Sequence, residues 1–268
     1  MVRRLEAVGN EAIAIIVFDI DGVIRDVSNS YRRALADTVE HFTQGSYRPT
    51  QTDIDALKGE GIWNNDWEAS QEMVHRYFEQ QGKARSELGL DYDVLVRFFQ
   101  SRYRGPDPDN WTGYICQEPL LLEADYLNQL TAAGLSWGFF SGATRGSATF
   151  VLEKRLGLSA PVLVAMEDAP GKPDPTGLFE AVSRLEGENR GMPVIYAGDT
   201  VADMQTVLRA REQDSTRRWI GVGILPPHVL GSTEYALNYS NGLIEAGASL
   251  TLANVQQLTP DRVRQLMK

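Results

Sequence analysis

The stretch Ile15-Ile16-Val17-Phe18-Asp19-Ile20-Asp21-Gly22-Val23-Ile24 decides the reading of this chain. Its apolar run is of strand type and stops abruptly at two carboxylates. A strand apolar on both faces is a buried parallel strand, because helices must cover it from either side. In an open parallel sheet, ligands sit beyond the carboxyl ends of the strands. Asp19 and Asp21 therefore stand where chemistry is expected. With a period of two, both point to one side if the strand continues. Gly22 lets the chain turn sharply just there. Taken alone, Asp-x-Asp-Gly is also consistent with a strand end capped by polar residues.

The chain has 268 residues, enough for one large or two ordinary domains. Its 43% hydrophobic and 23% charged content indicates a globular protein. A formal charge of −10 argues against nucleic acid or an anionic membrane as partner. It leaves anionic small molecules open, since a bound cation inverts the local field. The single Cys116 excludes an intrachain disulfide and fits a reducing compartment. No apolar run approaches the length of a membrane span. Arg3 and Arg4 precede an apolar run as in a signal peptide, but Glu6, Glu11 and Asp19 spoil that pattern. The expectation is a cytoplasmic protein, a monomer or homodimer.

Residues 1–11 are polar and expected to fray, and the first strand spans 12–18. From 28 to 103 the texture is helical. Tyr31, Leu35, Thr38, Val39 and Phe42 recur at helical spacing. Further helices are expected from 50, over 66–81 and over 92–103, before the loop Gly105-Pro106-Asp107-Pro108-Asp109. From Pro119 helices and strands alternate. Helices are expected over 120–133, 147–156, from 175, over 201–211 and after Thr259. Strands are expected over 135–140, 161–166, 193–197, 219–224 and 249–253. Alternation of this kind predicts an α/β fold, a doubly wound parallel sheet. Residues 25–118 form an α-helical insertion directly after its first strand, so the sheet domain comprises 1–24 and 119–268.

The strand ends carry a set of polar groups. The first gives Asp19 and Asp21, the second Ser141, the loop after the third Lys172, and the fourth Asp199 with Asp203 one turn later. Singly, most have a plain structural reading. Ser141 caps a turn, Lys172 is a solvated loop residue, and Thr200 with Asp203 is a capping box. Asp199 is harder to dismiss, because a carboxylate at the tip of a buried strand costs solvation unless something pairs with it. Together they fall at one end of one sheet.

That set resembles the haloacid dehalogenase superfamily, in its phosphatase branch with a helical cap, which includes phosphoglycolate phosphatases and β-phosphoglucomutases. All four motifs appear in order: Asp19-Ile20-Asp21-Gly22, then Ser141, then Lys172 in Gly-Lys-Pro-Asp-Pro, then Gly198-Asp199-Thr200-Val201-Ala202-Asp203. The resemblance implies a Rossmann-like core with 25–118 as cap. Three features depart from it. Val23 replaces a usual threonine, Arg25 occupies the first cap hinge, and a charged connection, Arg211 to Arg218, replaces the common Ala-Gly ending.

The resemblance implies Mg²⁺-dependent hydrolysis of a small phosphorylated metabolite, with Asp19 as nucleophile forming an aspartyl-phosphate. Mg²⁺ would be held by the Asp19 and Asp199 carboxylates and the Asp21 backbone carbonyl, with Asp203 behind them. Lys172 would offset negative charge, Ser141 and the Gly142 amide would bind phosphate oxygens, and the Asp21 side chain would serve as acid and then base. Dehalogenases of this superfamily lack the second aspartate, so its presence favours phosphoryl chemistry. A phosphosugar mutase or other phosphotransferase uses the same residues. A non-catalytic binding or regulatory protein is the alternative from another class, although none of the four essential side chains is lost. Within the cap, Lys58-Gly59-Glu60-Gly61-Ile62-Trp63 resembles the substrate-specificity loop of helical-cap members. Lys58 is expected to reach the leaving group and Trp63 to wall off water. Equally, Lys58 complements a helix dipole and Trp63 belongs to the cap core.

Overall fold

A computed structural model describes residues 12–63, 65–187 and 190–268. The expectation of a frayed segment over 1–11 lies outside the described residues. Six strands form one all-parallel sheet in the order β3-β2-β1-β4-β5-β6. In chain order they are β1 (Ala14–Phe18), β2 (Leu135–Phe140), β3 (Leu163–Val164), β4 (Val194–Gly198), β5 (Trp219–Ile224) and β6 (Ala248–Leu252). The α/β, doubly wound architecture read from the sequence is thus present.

Every β1 side chain is buried, and the strand alternates between two apolar layers. Ala14, Ile16 and Phe18 join one layer with Tyr126, Leu127, Leu130, Ala148 and Val263. Ile15 and Val17 join the other with Leu178, Ala181, Val207 and Ala210. Neither face of this strand reaches water, which is why its sequence is a continuous apolar run.

The helices are α1 (Tyr31–Phe42), α2 (Gln51–Lys58), α3 (Asp66–Gln80), α4 (Tyr92–Tyr103), α5 (Ala124–Ala132), α6 (Arg145–Thr149), α7 (Thr176–Glu186), α8 (Val201–Gln213), α9 (Thr233–Glu245) and α10 (Pro260–Leu266). Helices α5, α6 and α10 cover the Ile16 face of the sheet, and α7 and α8 the Ile15 face. The first four helices share their own apolar cluster, built on Tyr31, Leu35, Val39, Ile54, Met73, Phe99 and Tyr103. The starts of α2, α3 and α4 are fixed by side-chain oxygens that take up otherwise unpaired backbone N–H groups. Thr50 and Asp53 form a reciprocal capping box at α2, Asn65 accepts from Trp67 N, and Asp91 accepts from Val94 N.

Several expected elements differ in extent. The helix expected over 120–133 begins at Ala124, because Leu120 bridges to Arg25 and Leu121 N donates to Ile24 O. The third strand contracts to two residues, since β3 is an edge strand with β2 on one side only. The helix expected at 147–156 is α6 followed by a π-helical turn, Phe150–Arg155. Helix α9 was not anticipated. The connection from Arg211 to Arg218 is tied back to the fold: Arg211 Nε donates to Trp219 O at 2.8 Å, and Arg217 pairs with Glu186 at 2.6 Å.

Candidate active site

Asp19 follows β1 directly, and its backbone N–H donates to Ala197 O of β4, which fixes it at the carboxyl edge of the sheet. Asp199 follows β4 next to it. Gly22 sits at φ 75°, and a Cβ there would lie 2.1 Å from Asp199 Oδ2. Only glycine permits this turn and this approach of the two loops.

Lys172, from the loop before α7, places Nζ 2.9 Å from Asp19 Oδ1 and 2.6 Å from Asp203 Oδ1. Asp203 is fully buried in the first turn of α8. Its Oδ1 also accepts from the Tyr196 hydroxyl at 2.9 Å, while Oδ2 accepts from Thr200 N and Thr200 Oγ1 at 2.9 and 2.7 Å. Both readings of Asp203 thus meet in one residue: it closes a capping box and anchors the lysine.

Asp19, Asp199 and Asp203 bring carboxylate oxygens within 4.8 Å of one another, all buried. Burial pushes Asp19 up to about 7; Lys172 opposes this, and the charges of Asp203 and Asp21 add to it. Burial, then the charges of Asp203 and Asp19, hold Asp199 well above the carboxylate range. For Asp203 burial acts upward too, but the charge and hydrogen bond of Lys172 and the bonds from Thr200 outweigh it, and the carboxyl is held down. When ionised, these three carboxylates against one ammonium carry a negative excess. A small hard dication with oxygen ligands fits that excess. Because four donors already occupy Asp203, Asp19 and Asp199 are the carboxylates suited to such an ion.

A cavity of about 410 Å³ opens over these groups, lined on the sheet side by Asp19, Asp21, Ser141, Gly142, Lys172 and Asp199. Ser141 is buried, and its Oγ accepts from Ala143 N at 3.2 Å. The helical insertion closes the other side with Tyr31, Arg32, Lys58, Ile62, Asp66, Trp67 and Glu68. Of the two insertion residues expected at the substrate, Lys58 lines the cavity but is held by Asp66 at 2.8 Å. Trp63 does not line it, which corrects the expectation that it walls off water. Its indole packs on the insertion's apolar cluster and donates to Glu60 Oε2 at 2.9 Å. Ile62 and Trp67 line the cavity at this place.

Arg32 escaped the sequence reading. It is buried at the cavity, with Nη1 3.2 Å from Gln51 Oε1 and Nη2 paired with Asp55. Asp55 is also met by His228 Nε2 at 3.2 Å and by the Tyr235 hydroxyl, so α2 is docked onto the segment after β5. Tyr239, likewise unforeseen, donates its hydroxyl to Asp199 O at 3.0 Å. No local spacing signals either contact, because the partners are far apart in sequence. Among the described residues no helix is long and apolar enough to cross a membrane.

The chain is 28% identical over 244 residues to a Phytophthora nicotianae protein named imidazoleglycerol-phosphate dehydratase, covering 88% of this chain and 49% of that protein. It thus spans about half the length of the curated relative it matches. Among solved structures, a phosphonoacetaldehyde hydrolase-like protein from Oleispira antarctica superposes with a TM-score of 0.67 at 18% identity, covering 99% of this chain and 97% of the other. A hydrolase from Pseudomonas syringae superposes with a TM-score of 0.63 at 19% identity, covering 95% and 99%. These two likenesses concern the fold. The model of the haloacid dehalogenase-like hydrolases matches residues 13–211, and with it the strand-end carboxylates and the lysine described above: the chain belongs to the haloacid dehalogenase-like hydrolase family.

Proposed function

We propose that this protein is a Mg²⁺-dependent phosphatase of a small phosphorylated metabolite, with Asp19 as nucleophile. The observation that carries the reading is the placement of Asp19 against Lys172 and beside Asp199 at the floor of the cavity between sheet and insertion. Residues 25–118 act as the cap in this reading. Asp19, Asp199 and the Asp21 carbonyl would hold Mg²⁺, which when bound supplies the positive charge that lets two anions approach.

The chain's own residues do the rest. An Asp19 oxygen attacks phosphorus while the ester P–O bond breaks, and the Asp21 side chain gives its proton to the departing alcohol. Water then attacks phosphorus of the aspartyl-phosphate, its proton returns to Asp21, and inorganic phosphate leaves with Asp19 regenerated. Lys172, fixed by Asp203, offsets charge on Asp19 and on the phosphoryl oxygens. Ser141 and the Gly142 amide donate to those oxygens.

A second observation favours one class of metabolite. The relative that matches most of this chain is named for an imidazole-bearing glycerol phosphate. Phosphate esters carrying an imidazole ring are therefore the substrates we propose to test first. The cavity wall is compatible with such a ring: Tyr31 and Trp67 offer aromatic faces, and Asp66 and Glu68 offer acceptors for ring N–H groups, with the nearby Lys58 already neutralised.

The test is phosphate release from p-nitrophenyl phosphate, 2-(imidazol-4-yl)ethyl phosphate, 2-phosphoglycolate and glucose 6-phosphate. Turnover should require Mg²⁺, vanish in excess chelator and be inhibited by Ca²⁺, whose larger shell misplaces the nucleophile. Full activity in chelator would reject the site assignment. Phosphate exchange between a sugar monophosphate and bisphosphate without net release would replace phosphatase by mutase. Preference for phosphoglycolate over the imidazole ester would reject the substrate class alone.

A further inference from the structure

The charged residue at the first crossing into the helical insertion is wholly buried: Arg25 has no exposed surface. Its Nε and Nη2 both lie 2.6 Å from Asp21 Oδ1. Its Nη1 lies 2.6 Å from the Tyr103 hydroxyl, at the end of α4, and 2.8 Å from Glu118 Oε2, on the return crossing. The guanidinium carbon sits 5.4 Å from the Tyr31 ring centre and 5.9 Å from that of Tyr103. The backbone is tied at the same place: Gly22 N donates to Arg25 O, Asp26 N to Pro119 O and Leu121 N to Ile24 O. One side chain therefore joins the carboxylate beside the nucleophile, the last helix of the insertion and both chain crossings.

We propose that Arg25 is the positioning residue for Asp21, fixing its carboxylate toward the scissile bond only while the insertion is seated on the sheet. The inference rests on Asp21 being the acid and base of the proposed reaction. Arg25 engages one carboxylate oxygen, Oδ1. Asp21 keeps 26% of its side-chain surface exposed and lines the cavity, so its second oxygen is available to substrate. A mere structural ion pair would need only one partner. Here a second carboxyl group, the buried Glu118, meets the same guanidinium, so Arg25 is held in place by a partner other than Asp21 while Asp21 works. The fork geometry matters as well: Nε donates to Asp21 Oδ1 while Nη1 donates to Tyr103 and Glu118, a span that the single point charge of lysine does not reproduce. Because Tyr103 and Glu118 belong to the far end of the insertion, displacement of that end removes the support of Arg25 and with it the aim of Asp21.

The experiment compares p-nitrophenyl phosphate, whose leaving group needs little protonation, with 2-phenylethyl phosphate, whose leaving group needs a proton. Arg25→Lys should lower kcat on the alkyl ester by about tenfold more than on the aryl ester, with KM changed less than about threefold. In an Asp21→Asn background the same substitution should add no further selectivity. Tyr103→Phe removes a single hydroxyl contact and should show the same bias in weaker form, about twofold to fivefold. Equal losses on both esters, or an undiminished effect of Arg25→Lys in Asp21→Asn, would overturn the proposal. If Arg25→Lys does not fold, Tyr103→Phe decides, and an unbiased Tyr103→Phe overturns it. Failure of the unmodified protein to hydrolyse either ester would instead remove the phosphatase reading on which the proposal stands.

Discussion

Lys172 Nζ stands closer to Asp203 than to Asp19, 2.6 Å against 2.9 Å, and Asp203 is the more deeply buried of the two carboxylates. The lysine is thus carried by a residue that does not line the cavity, and shared with Asp19. Asp203→Asn should break this arrangement. An amide cannot accept from Lys172 and Tyr196 on one side and from Thr200 N and Oγ1 on the other. We expect a loss of about 3 kcal/mol in urea denaturation, the scale for removing one partner of a buried ion pair. We also expect kcat to fall by tenfold or more, taking ~1.4 kcal/mol as the least such a loss costs the transition state. A stability change below about 0.5 kcal/mol would place Asp203 among ordinary surface positions.

Asp55 predicts a pH dependence. Burial pushes its carboxyl up, but hydrogen bonding from His228, the charge of Arg32 and the Tyr235 hydroxyl outweigh this and hold it down at about 2, from an ordinary 3.8. Since the folded value is the lower one, the contribution is complete above about pH 5 and is lost as the pH falls through 3.8 toward 2. Its size is about 2 kcal/mol for this largely buried group. Thermal unfolding of the unmodified protein and of Asp55→Asn should differ most at pH 6 to 7, the difference narrowing as the pH falls through 3.8 and closing only at about pH 2 or below. A difference that stays constant or widens on acidification would contradict the docking role of Asp55.

How much of this was legible in the sequence follows from where each contact closes. Strand β1 could be read because both its faces are buried, so its pattern is continuous and needs no partner to be recognised. Asp19, Asp21, Ser141, Lys172 and Asp199 could be read because strand ends converge in a parallel sheet, and Thr200 with Asp203 because a capping box spans three residues. Helix α9 could not. Only Leu243 is buried along it, and Asn238, Asn241 and Gly242 are weak helix formers, so no apolar stripe announces it. Trp63 precedes α3 and Trp67 lies in its first turn, four residues on, and composition does not say which ring turns to the cavity. Arg25 was visible only as an oddity. Its partners Tyr103 and Glu118 are 78 and 93 residues away, and a buried arginine makes sense only once they are in place.

The central claim, that phosphoryl transfer passes through Asp19, is tested most directly by acid-quenched single-turnover mass spectrometry in Mg²⁺. A transient adduct of one phosphoryl group is expected on the peptide that contains Asp19, formed before phosphate is released and absent from Asp19→Asn, which should also be inactive with its thermal unfolding preserved. Turnover retained by Asp19→Asn, or phosphate release at full rate with no adduct on that peptide, would contradict it.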